Sequence, residues 1–369
     1  WVSANTKAFA KVEWNVYSGK QDPRCISGKS DNYLAESAPY YYCYKNQRKA
    51  HYWKNAYEAY KQKYINTNGM TADEIGLIIT WLERDGYLPY PTDQSRCDGH
   101  TEEEEMEQEF AYLPFPQEIK NIFKKQVRTQ GRTMSGLKFW TLAKRQSGVI
   151  NTSDGTTDCC MAIIAGFCED QGIDDEKVLG QGDDVHPYFL PHHNINKGDL
   201  EAWCFRLGKK IKIDLCGDYD LLQYLSARAW NVGSQRCLGY KIGRVLGKTF
   251  VSTDSNMRPD QLNDYVREIA MGMKYYNWLP VLGKFNKLIL ERVDTERRYR
   301  RANKGFDHWT PLRINFEIDH DVINAQFYKI YGFDPIVLEQ QLETFDFKVG
   351  QALTSDLLSH MCKVDGVSY

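Results

Sequence analysis

The chain has no Cys-x-x-Cys pair and no Cys or His spacing of the kind that builds a zinc site, although it carries ten cysteines, at positions 25, 43, 97, 159, 160, 168, 204, 216, 237 and 362. Scattered thiols of this kind suit a reducing compartment better than a disulfide framework. Long apolar runs are also missing. The longest, Ile75 to Leu82 and Cys159 to Cys168, fall far short of the roughly 20 residues that cross a bilayer, so no membrane segment is expected in this chain. The sequence starts at Trp1 with neither a Met nor a signal-peptide pattern, and the expectation is a piece of a longer protein. Net charge is nearly absent as well, at -2 from 47 basic and 49 acidic residues, which moves the electrostatic argument from the whole chain to its local distribution. What remains is an ordinary globular balance, 42% hydrophobic and 26% charged over 369 residues, enough for two or three packed units.

One local absence is informative. From Ile119 to Ser153 there is no Asp or Glu, while Lys120, Lys124, Lys125, Arg128, Arg132, Lys138, Lys144 and Arg145 all occur. Clustered cations gain affinity for a phosphate backbone by displacing its condensed counterions, so a polyanion is the natural partner; an exposed basic helix is the plainer reading. Tyr40, Tyr41 and Tyr42, with Lys45, Arg48, Lys49 and Lys54 nearby, suit either a single-stranded nucleic acid or the flank of a helix. The stretch from Lys11 to Ser27, with Lys20 and Arg24, alternates as a strand would.

The acidic residues concentrate elsewhere. Gly182-Asp183-Asp184 lies between a short apolar approach and a Val-His-Pro-Tyr-Phe-Leu return, which predicts the tip of a tight antiparallel hairpin. Two adjacent carboxylates at a tip are explained by a divalent cation or by plain exposure to water. Ile75 to Leu82 predicts a helix ending near Asp85-Gly86, and the prolines of Tyr87 to Thr92 predict an irregular or edge strand leading to Asp93. If the chain then turns into a helix, Asp98 looks back toward the cleft of Asp93. The run Glu102 to Glu105 suits a helix start and a solvated face. Ser147-Gly148 reads as a flexible turn before a helix that Thr152 or Ser153 can cap. Farther on, Asn196 to Leu207 predicts a helix stopped by Gly208, and Pro259 fits the first turn of a helix with Leu262, Val266, Ile269 and Met273 on one face.

In this order and spacing, Asp93-x4-Asp98, Ser147-Gly148-x3-Thr152 and Gly182-Asp183-Asp184 resemble motifs A, B and C of viral RNA-dependent RNA polymerases. The wording Asp-Gln-Ser-Arg-Cys-Asp and Ser-Gly-Val-Ile-Asn-Thr-Ser is similar to the tombusvirus and nodavirus branch, whose motifs read Asp-Ala-Ser-Arg-Phe-Asp and Ser-Gly-Asp-x-Asn-Thr-Ser. Lys20-x-Asp-Pro-Arg24-x-Ile-Ser resembles motif F of those relatives, and Gly208 to Asp214 their motif D; the likeness runs from about Lys11 to about Gly239. One departure stands out: the family's Asn four residues after the motif B Thr is Thr156 here. In relatives that Asn helps the second motif A Asp recognise the ribose, a part left here to Asn151 or the Thr156 hydroxyl.

The resemblance implies an α+β right hand: fingers over 1–86, palm over 87–113 and 147–240 around a fingers insertion at 114–146, and a mostly helical thumb over 241–369. It implies two Mg2+ or Mn2+ ions on Asp93, Asp183 and Asp184, and Lys212 as proton donor to pyrophosphate, where a plain surface lysine is the alternative. Nucleotide contacts fall to Lys20, Arg24, Asp98, Ser147, Gly148, Asn151, Thr152 and Thr156, and RNA contacts to Lys124, Lys125, Arg128 and Arg132. The basic cluster Arg297, Arg298, Arg300 and Arg301 would lie near the emerging duplex or form a solvated loop. Template and primer RNA, ribonucleoside triphosphates and other viral replication proteins are the implied partners. The implied location is the host cytoplasm, in membrane-associated complexes reached through regions outside this chain. A reverse transcriptase would want a bulky gate where Asp98 leaves the sugar site polar. An inactive RNA-binding scaffold of polymerase descent is the reading from another class, and primer extension separates it from an enzyme.

Overall fold

The chain divides into two units, the first holding residues 1–11, 22–69 and 81–217 and the second 12–21, 70–80 and 218–369. The computed structural model describes residues 6–10, 25–52, 54–94, 97–249, 258–293, 316–345 and 355–366. Lys20, Arg24 and the arginines from 297 to 301 lie outside those residues. Helices and several sheets alternate along the chain, a mixed α and β architecture.

In the first unit, a four-stranded sheet runs Tyr64–Asn66, Lys177–Gln181, Asp184–Phe189, Leu88–Pro89. The two central strands are buried almost throughout, with Val178, Leu179, Val185, Tyr188 and Phe189 in the core. Their antiparallel register ends on the pair Gln181 and Asp184, which leaves Gly182 and Asp183 as a two-residue turn. Gly182 takes φ +67° and Asp183 does not share that sign, the pattern of a type II′ hairpin turn, which calls for glycine at its first central position. Leu88–Pro89 is an edge strand, the place where a proline without an N–H is tolerated.

The helix Thr152–Gln171 packs on this hairpin through Cys160, Met161, Ile164 and Phe167. A Cβ on Gly180 would stand 2.6 Å from the Met161 methyl and 3.1 Å from the Thr157 methyl, so the bare backbone of the strand sets how closely the helix approaches. The helix starts differently from the sequence expectation. Asn151 is its N-cap residue, while Thr152 donates to the Gln146 carbonyl at 2.6 Å and Ser153 to Asn68 Oδ1 at 2.9 Å. Neither hydroxyl caps, because each has a tertiary acceptor. Gly172 in the left-handed conformation, φ +67°, ends the helix.

The acid-free segment is mostly a hairpin and not a long helix. After the short helix Gln117–Lys124, the strands Arg128–Thr133 and Lys138–Leu142 pair with each other and join a sheet ordered Cys25–Lys29, Thr6–Ala10, Arg128–Thr133, Lys138–Leu142. Arg145 does not belong to its cationic surface. That side chain is buried and holds Glu109 at 2.6 Å.

The long helix Asp31–Tyr52 likewise turns most of its cations inward, with Arg48 gripping Asp158 through two 2.7 Å bonds, Lys45 at 3.1 Å from Asp154 and Lys49 donating to the Gly69 carbonyl. The aromatics and cations of that stretch are the flank of a helix. The run at 102–105 opens Glu103–Tyr112 as expected, but Glu105 is not merely solvated: it accepts from the Glu102 N–H and pairs with Lys209 at 2.7 Å. Lys197–Arg206 is the expected helix, capped by the Asn196 side chain and followed by Gly208.

The second unit holds the meander Gln223–Tyr224, Ala227–Asn231, Arg236–Tyr240 and then helices. Pro259 opens Pro259–Gly272, which buries Val266, Ile269 and Ala270, with Met273 buried just beyond its end. Leu282–Arg292, His320–Tyr331, Pro335–Thr344 and Asp356–Val364 follow. Among the described residues no helix is long and apolar enough to cross a membrane.

Candidate active site

Asp93 sits in the middle of the strand Thr92–Gln94, whose alternation buries Thr92 and Gln94 and turns Asp93 outward. Thr92 donates from its hydroxyl to the Val185 carbonyl at 2.5 Å, and Cys160 Sγ lies 3.1 Å from Gln94 Oε1. The first bond brings the strand that bears Asp93 alongside the hairpin end that bears Asp183 and Asp184, and the second ties that strand to the helix Thr152–Gln171. Asp93 and Asp183 are both exposed, and among the described residues neither carboxylate has a hydrogen-bond or ion-pair partner. Asp184, one step into the strand, is half-buried. A set of carboxylate oxygens beside open solvent, without imidazole or thiol, fits a hard divalent cation that keeps several waters.

Lys212 pairs directly with Asp93 in the antiparallel register of Ile211–Ile213 against Thr92–Gln94. Cross-strand partners point to one face, so Lys212 shares the face of that carboxylate. A hydrogen bond and charge attraction from Asp214, 2.8 Å away, hold the Lys212 pKa above its ordinary value, with a smaller push from Asp93. Lys209, by contrast, is buried against Glu105 and the His100 carbonyl and serves as an anchor.

Ser147 and Gly148 meet the strand Cys25–Lys29. Ser147 Oγ accepts from the Ser27 N–H at 3.2 Å, and the Gly148 N–H donates to the Ser27 carbonyl at 2.9 Å. A Cβ on Gly148 would lie 2.5 Å from the Ser27 carbonyl oxygen and 2.7 Å from Gly28 Cα, both backbone atoms that cannot step aside. Only glycine permits that approach, which is why the turn carries one.

Asp98, in the short 3-10 turn Cys97–His100, is half-buried, and its carbonyl accepts from the Arg145 N–H at 3.0 Å. Asn151 is fully buried. Its amide donates to Glu109 at 2.5 Å and its carbonyl accepts from Gln126 at 3.1 Å, so it braces the Glu109–Arg145 pair from behind. Thr156 is 5% exposed and its hydroxyl has no hydrogen-bond partner among the described residues. Lys124, Arg128 and Arg132 sit on the basic hairpin and its approach, all three exposed, and Lys125 is half-buried.

Sequence reasoning missed Asn68 and Thr157. Asn68 receives the Ser153 hydroxyl, donates to Asp154 at 3.0 Å and lies 3.5 Å from Thr157 Oγ1. Thr157 Oγ1 in turn accepts the Gly182 N–H at 2.7 Å, so one hydroxyl ties the helix to the turn that carries Asp183. The Thr-Thr pair at 156 and 157 was the available signal, since two β-branched hydroxyl residues in a helix interior need acceptors.

A family model described as Viral RNA dependent RNA polymerase matches residues 6–322. No curated protein matches the chain.

Proposed function

Because the chain belongs to the viral RNA-dependent RNA polymerases through a match over residues 6–322, we propose that it joins nucleotides by a two-cation mechanism centred on Asp93, Asp183 and Asp184. It is an RNA-directed RNA polymerase, a nucleotidyltransferase of viral replication, with RNA and nucleotides as substrates. The observation that carries the mechanistic reading is the pair of exposed carboxylates, Asp93 on its strand and Asp183 on the adjoining hairpin turn, without a protein partner among the described residues. Such unspent carboxylates fit divalent cations, Mg2+ or Mn2+, which when bound lower the pKa of a primer 3′-hydroxyl and neutralise charge on the pyrophosphate.

The residues then divide the work. The 3′-hydroxyl gives up its proton to solvent as its oxygen bonds to the α-phosphorus and the bond to the pyrophosphate oxygen breaks, and Lys212, on the face of Asp93, supplies a proton to that leaving oxygen. Asp98 accepts from the ribose 2′-hydroxyl, with Thr156 standing at the position of the family's missing Asn. Ser147, Gly148 and Thr152 shape the turn that receives the nucleotide, while Asn151 holds that turn's support through Glu109. Lys20 and Arg24 take the triphosphate, and Lys124, Lys125, Arg128 and Arg132 track the template backbone. In this reading fingers span 1–86 and 114–146, palm 87–113 and 147–240, and thumb 241–369.

Incubating the chain with a primed homopolymer RNA, ribonucleotides and Mg2+ or Mn2+ tests the reading. Extension is expected in the wild type, and at least roughly a hundredfold less in Asp93→Asn or Asp183→Asn with RNA binding nearly intact, because binding rests on remote cations. Wild-type extension by either variant would sink the carboxylate assignment, and an inert wild type would favour the scaffold reading.

A further inference from the structure

The hairpin that carries Asp183 has a second end, and there Asp175, His192 and His193 converge. Asp175 precedes the strand Lys177–Gln181 by two residues, and the two histidines close the 3-10 turn Pro191–His193 after the strand Asp184–Phe189. One ligand atom from each side chain can be chosen so that all lie within 4.8 Å of one another. His193 Nε2 is 2.6 Å from Asp175 Oδ1, and His192 Nε2 is 3.8 Å from Asp175 Oδ2. The two imidazoles also touch, with ring centroids 4.0 Å apart. One carboxylate therefore faces both imidazoles, His193 through Oδ1 and His192 on the side of Oδ2. The three side chains thus bring two imidazole nitrogens and one carboxylate together.

We propose that Asp175, His192 and His193 bind a zinc-type divalent ion that clasps the open end of the catalytic hairpin. Imidazole nitrogen with one carboxylate selects zinc and its first-row neighbours over magnesium, which prefers oxygen alone. Water completes the coordination, since His192 is largely exposed. The position is prepared from behind: the Tyr87 hydroxyl donates to the Asp175 carbonyl at 2.8 Å, and Asn194, at φ +48°, turns the chain immediately after His193. Glu176, next to Asp175, is engaged by Lys63 and Tyr64 and is not a ligand. At the opposite end of the same two strands stands the turn of Gly182 and Asp183, so a cross-link between residues 175 and 193 restrains the frame of that turn.

The test uses the full chain freed of metal with a chelator and titrated with Zn2+ by calorimetry, with Co2+ absorption as a spectroscopic check. One equivalent of Zn2+ is expected to bind. Affinity should fall at least roughly tenfold in His192→Ala and in His193→Gln, and stay unchanged in Asp93→Asn. Saturating Zn2+ should raise the melting temperature of the wild type by about 2 °C or more, and of His192→Ala by less, while equal Mg2+ does neither. Absence of saturable binding would overturn the proposal. Equal affinity in His192→Ala would do so too, because the ion would then sit on other groups such as the free thiols.

Discussion

In the proposed mechanism, Asp98 is the residue on which sugar choice turns. A site built to bond a 2′-hydroxyl leaves its own polar groups unpaired when that hydroxyl is missing, so discrimination is lost with the group that reads it. Asp98→Ala is expected to lower ribonucleotide incorporation by roughly tenfold or more beyond any fall in deoxyribonucleotide incorporation, measured as single-nucleotide efficiencies with matched triphosphates; an unchanged ratio would move the reading elsewhere. Thr156→Val asks a finer question. The buried hydroxyl lacks a partner among the described residues, so its removal should leave the melting temperature unchanged or raise it. A narrower sugar ratio in that variant identifies the hydroxyl as part of the reader. His186 sets a pH limit two residues beyond Asp184. Burial lowers its pKa from 6.5 to about 3. The unfolded chain therefore takes up a proton first as pH falls through 6.5, and the fold loses about 1.4 kcal/mol per pH unit below that, until the folded imidazole itself titrates. Urea denaturation at about pH 6.5 and about pH 5.5 should show a loss in the wild type that exceeds the loss in His186→Leu by roughly 1 kcal/mol; equal losses would assign the acid sensitivity to other groups.

At the scale of elements, what the sequence made legible followed from local chemistry. The helix Ala72–Arg84, the Gly182 turn, the proline-bearing edge strand and the Asn196 cap each depend on neighbours within a few positions. Partners far along the chain were not legible. Arg145 reads as one more surface cation until Glu109, 36 positions away, takes it, and Ser153 reads as a cap until Asn68, 85 positions away, accepts its proton. The basic element itself changes shape but keeps its charge. Arg132 pairs with Lys138 across the hairpin and with Lys7 on the neighbouring parallel strand, so three cations share one face, and the exposed Trp140 lies two residues from Lys138 on the same side. Replacing Lys124, Arg128 and Arg132 together with Ala should weaken binding to unrelated single-stranded RNAs alike. The slope of log K against log salt should shallow by about 2, since each phosphate that these cations no longer neutralise accounts for about 0.7. An unchanged slope would return these cations to plain solvation.

For the whole molecule, the sequence motifs reach no further than about Gly239 while the family match extends to residue 322, and the helices beyond the motifs have to be understood from packing. The deepest polar feature of the second unit joins residues that no local pattern connects. Arg228 and Asp365 form an ion pair at 2.8 Å across 137 positions, with side chains 3% and 0% exposed. Asp365 also accepts from the Tyr331 hydroxyl at 2.9 Å and from the Gly243 N–H at 2.8 Å, so one carboxylate fastens the meander, the helix Ile242–Thr249 and the helix His320–Tyr331. A charge taken out of water must be matched by an opposite charge and by donors to its remaining lone pairs. Asp365→Ala strands the Arg228 guanidinium and two donors at once, and it should destabilise the fold by about 3–5 kcal/mol, seen as a lower denaturation midpoint. Arg228→Met with Asp365→Leu removes both charges and should recover much of that loss. A single variant with an unaltered midpoint would mean that water reaches this pair and that the second unit is held by its apolar packing alone.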